Sequence, residues 1–443
     1  MKRFIETIQN IWKIEDLRVR ILNTLGFLLI YRLGSFVVLP GVDPKILGEL
    51  NSGAQGIAAL LNIFAGGAFS RASVFALGIM PYISASIVMQ LMGIAVPAVQ
   101  KMQKEGESGR RRLNQWTRLL TIAITMFQAP SYISTQIPAQ AVVGGTSTFW
   151  WVSTIVLLVT GTIFVMWLGE RITDKGIGNG ISMIIMIGII AQLPSAFLFE
   201  IEQRTTSGGF VMLLIELVFL LLVTIATVAL VQGTRRIPVN FAKKVVGTRQ
   251  YGGVRQYIPL KVNAAGVMPI IFAQALMFLP ITLVGFSSSD AATGFASAFA
   301  DITGFWYNLV FFILIIAFTY FYTAITVNPN QMAEDLKRNG GFIPGVKPGK
   351  KTAEFLDNVL SRITLPGSIF LGFVAILPAF AMIAGVSTGF AYFFGGTSLL
   401  IMVGVILDTL QQIESHLLMR HYDGLMKSGK IKGRSSSAFG LAG

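Results

Sequence analysis

The chain contains no cysteine and only two histidines. The first absence removes disulfides, thiol nucleophiles and Cys-ligated metals at once. The histidines, His416 and His421, lie in or beside the C-terminal tail, so neither a metal site nor a histidine base is expected within the membrane. Charge is also scarce, at 13% of residues against 53% hydrophobic. Ten apolar runs fall near 22–39, 74–95, 119–133, 149–168, 181–199, 210–231, 264–286, 305–327, 365–386 and 392–413. Each approaches the 20 or so residues that cross about 30 Å of hydrocarbon. The pattern predicts an all-α polytopic membrane protein with ten transmembrane helices. Residues 1–20 are mixed and amphipathic and lack a small-residue cleavage site, so no secretory signal is expected before the first run.

The net charge of +14 suggests nucleic acid until it is located. Of the 35 Lys and Arg residues, 31 fall in the N-terminal segment, in every second loop, or in the tail. Basic loops stay in the cytoplasm, which places both termini there and agrees with an even number of crossings. Two of these segments carry more than topology needs. Residues 233–261 hold Arg235, Arg236, Lys243, Lys244, Arg249 and Arg255 with Tyr251 and Tyr257 between them. Residues 328–362 hold Lys337, Arg338, Lys347, Lys350 and Lys351. Gly and Pro in both favour rigid protruding turns over long helices. Cationic loops with interleaved aromatics suit RNA phosphate or an acidic protein face, and solvated loops have the same composition.

Enzyme signatures fail. Gly349-Lys350-Lys351-Thr352 resembles a phosphate-binding loop, but Lys351 separates Gly-Lys from Thr and Pro344 stands where the first glycine belongs. Gly176-Ile177-Gly178-Asn179-Gly180 has no preceding strand and reads as a helix-entry turn. Ionisable residues inside the apolar runs, each costly to bury, are Arg32, Glu216 and Asp408. They form no chain of proton or sodium sites, and the partner of Glu216 stays open between another helix and another subunit.

The informative stretch is 60–112. An apolar segment breaks at Ala65-Gly66-Gly67-Ala68, restarts as a long helix from about residue 74, and ends in a basic run. Part of the chain therefore enters the bilayer and turns back. Non-helical backbone at that depth survives only where protein or a water-filled cavity surrounds it, so a cavity is implied. Ile79, Ile83 and Ile87 repeat at helical spacing after the break, as do Ile185 and Ile189 in the fifth run. Polar Ser84, Ser86 and Gln90 share the first of these helices, and Gln274 follows Ile271 in the seventh run. Aliphatic constrictions of this kind can gate a pore by dewetting.

Several long segments, in order along almost the whole chain, resemble the SecY family, the central channel subunits of the bacterial Sec protein translocase. They are Phe69-Ser-Arg-Ala-Ser-Val-Phe-Ala-Leu-Gly-Ile-Met-Pro-Tyr-Ile-Ser-Ala-Ser, Lys104-Glu-Gly-Glu-Ser-Gly-Arg-Arg, Gly176-Ile-Gly-Asn-Gly-Ile-Ser, Pro259-Leu-Lys-Val-Asn-Ala-Ala-Gly-Val-Met-Pro and Phe394-Gly-Gly-Thr-Ser-Leu-Leu-Ile. The resemblance implies two inverted, pseudo-symmetric halves of five helices, 1–206 and 207–443, that open like a clamshell. It implies a re-entrant plug half-helix over about 60–73, to which Asn62, Phe64, Gly66, Gly67, Phe69, Ser70 and Arg71 belong. It implies a pore ring, matched here by Ile79, Ile83, Ile185, Ile189, Ile271 and Ile401. A lateral gate between the second and third runs and the seventh and eighth is marked by Ser84, Gln90, Gln274 and Leu279.

By the same resemblance the two basic loops serve partners, with Arg235, Arg236, Arg249, Lys337, Arg338 and Lys347 as contacts for the SecA ATPase or the ribosome. SecE and SecG are implied as channel subunits, signal peptides and unfolded preproteins as substrates, and membrane lipid as the destination of apolar segments. Neither cofactor, metal nor enzymatic activity is expected, and the location implied is the bacterial cytoplasmic (inner) membrane. Lys347 stands where the family's Gly-Val-Arg-Pro-Gly turn has arginine, which keeps the charge but loses the planar fork. The alternative is an ion-coupled secondary transporter with inverted repeats, which requires polar substrate ligands where this chain has isoleucine.

Overall fold

In the computed structural model, which describes residue 12 and residues 14–51, 62–206, 209–241, 244–246, 249–251, 255–284 and 301–427, every one of the ten apolar runs contains a helix. In chain order the helices are α1 (Glu15–Gly34), α2 (Pro44–Asn51), α3 (Met80–Ala95), α4 (Pro97–Lys104), α5 (Glu107–Gln136), α6 (Thr148–Lys175) and α7 (Gly180–Thr206). They continue with α8 (Phe210–Gln232), α9 (Met268–Val284), α10 (Phe305–Thr326), α11 (Pro329–Arg338), α12 (Lys350–Ile383), α13 (Thr388–Ala391) and α14 (Gly396–Lys427). Among the described residues, six helices, α6, α7, α8, α10, α12 and α14, are long and apolar enough to cross a membrane. The α3–α4 pair makes a seventh if the bent pair is one span. Its bend falls at Val96, which is extended, as the residue before a proline prefers to be.

Several boundaries differ from the sequence reading. The helix expected from residue 74 starts at Met80, because 65–79 is a succession of turns. Gly66, Gly67, Ala72 and Gly78 all have positive φ there, a conformation that no helix continues through. The half-helix expected over 60–73 is therefore helical only at 62–64 among the described residues, and residues 60 and 61 lie outside them. The first helix ends at Gly34 rather than 39; beyond it the chain turns and pairs back at Val38 with Ser73. Helix α12 begins at Lys350 rather than 365 and runs through Pro366 and Pro378.

The fold is mostly helical as expected, and the correction concerns the two basic loops, which join in a small sheet instead of forming separate protruding turns. Strands β1 (Thr234–Phe241), β4 (Arg255–Lys261) and β5 (Gly341–Phe342) make one antiparallel sheet in the order β4-β1-β5, and β2 (Lys244–Val246) pairs with β3 (Arg249–Tyr251). The period-2 pattern of β1 turns Ile237 and Val239 inward onto Leu356 and Leu360 of α12. Pro238 is tolerated because β5 pairs only with Asn240 and Phe241, leaving β1 an edge strand at the proline. The second loop also contains α11, capped by Asn328, whose side chain accepts from the Asn330 and Gln331 N–H groups.

Packing among the long helices depends on small residues. Thr117, Thr121 and Thr125 form a buried stripe on α5, and each hydroxyl donates to the carbonyl one turn earlier at 2.7–2.9 Å. Gly161 of α6 faces the turn segment so closely that a Cβ there would overlap the Val74 carbonyl. Gly26 on α1 has nothing within 4 Å. These two sites predict opposite signs. Gly161→Ala is expected to destabilise the folded protein by about 1–3 kcal/mol through overpacking, whereas Gly26→Ala is neutral or slightly stabilising. Thermal unfolding of the two purified variants checks this, and equal shifts would contradict it.

Candidate functional site

After the helical turn at 62–64, residues 65–79 run as irregular backbone among apolar helices, and many of the segment's backbone polar groups find partners there. Local turns take part of the load: Gly67 N donates to Asn62 O at 2.8 Å and Ser70 N to Asn62 Oδ1 at 3.0 Å. The chain after α1 takes more, with Leu39 N donating to Ala72 O and Val74 N to Val37 O, both at 2.9 Å. Three separate helices complete the set. From α1, Arg32 Nη1 donates to Gly66 O at 2.5 Å; from α5, Tyr132 Oη donates to Phe69 O at 2.7 Å; from α7, Gln192 Nε2 donates to Asn62 O at 3.2 Å. Gly188 permits the approach of α7, since a Cβ there would lie 2.5 Å from Phe64 O. The Phe69 and Tyr132 rings meet edge to face at 4.9 Å. The guanidinium of Arg71 stands 4.4 Å from the centroid of the Phe36 ring, which Arg32 also approaches, at 4.9 Å.

Above this segment four of the singled-out isoleucines converge. Ile83 of α3, Ile185 of α7, Ile271 of α9 and Ile401 of α14 line one cavity together with Phe64, Met80, Gln274 and Thr397. Its volume is about 10 Å³, the lower limit for a single water. Ile79 and Ile189 belong to the same buried cluster without lining the cavity. Ile79 is the N-cap residue just before α3, and Ile189 is one turn beyond Ile185 on α7. No ionisable group lines the cavity. The lining is mostly apolar, with Gln274 and Thr397 as its polar members, and leaves room for one water at most.

The residues singled out for the gate lie on either side of an α3–α9 contact. Ser84 Oγ donates to Met80 O at 3.2 Å, within its own helix, and Gln90 Nε2 to Ser86 Oγ at 3.4 Å. Gln274 is buried and hydrogen-bonds Tyr307 of α10. The side chain of Leu279 lies outside the described ones. Arg235 and Arg236 are exposed on β1, Lys337 and Arg338 on the last turn of α11, and Lys347 on the turn before α12. Arg249 is on β3, its side chain outside the described ones. The shared sheet brings the basic loops into one body, which sequence reasoning missed. It also missed Tyr132, Gln192 and Gly188; the signal was a polar or vanishing side chain inside an apolar helix. Arg32 had been noticed, and its role is now explicit.

A constriction of aliphatic side chains from four helices, with a folded-in segment seated against it, defines a closed membrane channel. A family model described as SecY matches residues 73–410. The protein translocase subunit SecY of Streptomyces coelicolor is 43% identical over 434 residues, covering 94% of this chain and 98% of the relative. That of Mycobacterium bovis is 42% identical over 450 residues, covering 96% and 100%. A solved structure described as a protein conducting channel matches with a TM-score of 0.62 at 18% identity, over 90% of this chain and 92% of that one. Sec61 in a canine ribosome–channel complex matches with 0.59 at 17%, over the same shares. The chain belongs to the SecY family and is a protein translocase channel.

The seating of the irregular segment is directly testable. Tyr132→Phe removes the donor to a buried carbonyl while keeping the ring against Phe69, and is expected to cost about 1–3 kcal/mol. The loss should appear as faster amide exchange in 62–79 than in α6. Unchanged exchange across 62–79 would show that the Tyr132 contact does not hold the segment.

Proposed function

We propose that this channel passes unfolded secretory polypeptides through the isoleucine ring and releases apolar segments sideways into lipid. The observation that carries the reading is the near-empty aliphatic cavity where α3, α7, α9 and α14 meet. Ile79, Ile83, Ile185, Ile189, Ile271 and Ile401 act as a gasket. It fits varied side chains without binding any, and it dewets when empty. Residues 60–73 act as the plug, and within the described part Phe64 lines the cavity of the ring. The seam between α3 and α9 is the lateral gate, through which lipid sorts the substrate. On the insertion scale a central Leu gains about 0.5 kcal/mol and a central Asp loses about 3.

In this reading ten helices span the membrane as two inverted halves, 1–206 and 207–443, with the basic loops and both termini in the cytoplasm and the inner membrane as the site. The chain carries no motor of its own, so a SecA-type ATPase or the translating ribosome drives transport from the sheet that bears Arg235 and Arg236, with SecE and SecG as companion subunits. The ribosome-bound Sec61 channel that shares the fold supports the ribosomal arm. An ion-coupled transporter finds no support, since the central cavity is lined mainly by isoleucine and no ionisable group lines it.

Ile83→Asn and Ile401→Asn each put an amide into the ring. Both are expected to raise resting ion conductance and to relax the requirement for a strongly apolar signal sequence, measured on the reconstituted channel complex. If both match the parent in both readouts, the ring is misassigned. The double variant Arg235→Glu with Arg236→Glu should insert normally, because enough cations remain to fix topology. It should nonetheless slow partner-driven transport, since repulsion replaces attraction at the interface. Parental transport rates would show that these cations set topology only.

A further inference from the structure

Among the described residues, the two buried carboxylates are Glu200 and Glu216, and both close on Arg204. Arg204 donates Nε to Glu200 Oε1 at 2.9 Å, and Nη2 to Glu216 Oε1 at 2.5 Å and to Gly385 O at 2.7 Å. Glu200 Oε2 accepts from Ser387 N at 3.0 Å. One guanidinium thus ties the last turns of α7 to α8 and to the connection between α12 and α13. Apolar packing continues the junction, with Phe197 of α7 against Phe390 of α13 at 5.8 Å between ring centroids.

The seam between α3 and α9 is built in the opposite way. Ser84 and Gln90 bond within α3, and Gln274 bonds to α10. Among the described residues no hydrogen bond crosses from 80–95 to 268–277. That seam can part without breaking a hydrogen bond among the described residues, since its polar side chains bond within α3 or to α10. Parting the junction at Arg204 would strand two buried carboxylates and a guanidinium, which is strongly unfavourable. The molecule therefore has one side made to open and one made to stay closed.

We infer that Arg204 is a positioning residue for transport: its guanidinium is the fixed joint at which the first half, through α7, stays in register with the second half, through α8 and residues 385–387, while the α3–α9 seam parts. This rests on the two-half reading proposed above. The planar fork is essential to the role, because a single ammonium cannot direct donors along Nε and Nη2 at once. A loosened joint lets the halves slip, so the ring no longer closes on itself and the seam no longer opens on a defined axis.

The test uses the full chain in its membrane complex and exploits the absence of native cysteine. Arg204→Gln is expected to insert at the parental level, to export a reporter preprotein roughly fivefold more slowly or worse, and to leak ions at rest. Arg204→Lys should fall between it and the parent. If Arg204→Gln inserts poorly, Glu216→Gln takes its place; it keeps the side-chain shape and the Arg204–Glu200 pair, and should show the same changes at smaller size. The decisive arm replaces the ionic joint with a covalent one. Arg204→Cys with Ser387→Cys should export poorly until a short bis-maleimide bridges the introduced thiols, and then recover.

Parental export and a parental seal in Arg204→Gln, or in Glu216→Gln where that variant stands in, would overturn the inference. So would a bridge that fails to restore export, or one that stops residual export, since the latter means that the joint must open. The ring is untouched in all of these variants. Failure of the channel reading itself would show instead in the Ile83→Asn and Ile401→Asn measurements, with the joint intact.

Discussion

Backbone without a regular hydrogen-bond ladder cannot be left in hydrocarbon, and in this chain residues 65–79 are such backbone. Much of the architecture serves that segment. Arg32, Tyr132 and Gln192 come from three helices to satisfy its carbonyls, and Gly161 and Gly188 remove the side chains that would hold the helices away. Each direct hydrogen bond contributes only about 1 kcal/mol net. The cost of leaving the carbonyls unmet is larger, and it keeps the segment where it is until something replaces those partners.

The aliphatic ring follows a different logic. A polar constriction would conduct ions and would bind parts of a passing chain. Isoleucine at Ile83, Ile185, Ile271 and Ile401 leaves about 10 Å³, with room for one water at most. The contacts are individually weak and unspecific, so in the proposed function the ring yields to a polypeptide of any sequence and reforms when the chain has gone. Among the described residues no ion pair involves a residue that lines the cavity, and the most buried ion pairs lie at the α7–α8 junction.

The spans and the broken segment were legible in the sequence because each leaves a local pattern, a run length or a Gly pair between apolar blocks. A spacing of four marks Ile83 and Ile185, whereas Ile271 and Ile401 stand in no such spacing and were reached as ring positions only through the family resemblance. The start of α3 was misplaced by six residues, since Val74 to Ile79 is as apolar as a helix and only the backbone at Ala72 and Gly78 reveals turns. The sheet was missed for a physical reason. Strand β1 pairs with β5 about 100 residues later, and a two-residue strand carries no periodicity of its own. The partner of Glu216 was open for the same cause, although Arg204 lies only 12 residues away, because no pattern marks an ion pair across a turn.

In the proposed function polypeptide passes through the middle of the isoleucine ring. A photoreactive residue placed in turn at Ile79, Ile83, Ile185, Ile189, Ile271 and Ile401 of the channel, with a preprotein arrested in transit, tests it directly. Every ring position should label the arrested chain, and the outward-facing Leu222 of α8, which is 58% exposed, should not. Labelling from Leu222 with silence at the ring would place the path outside the bundle and contradict the account.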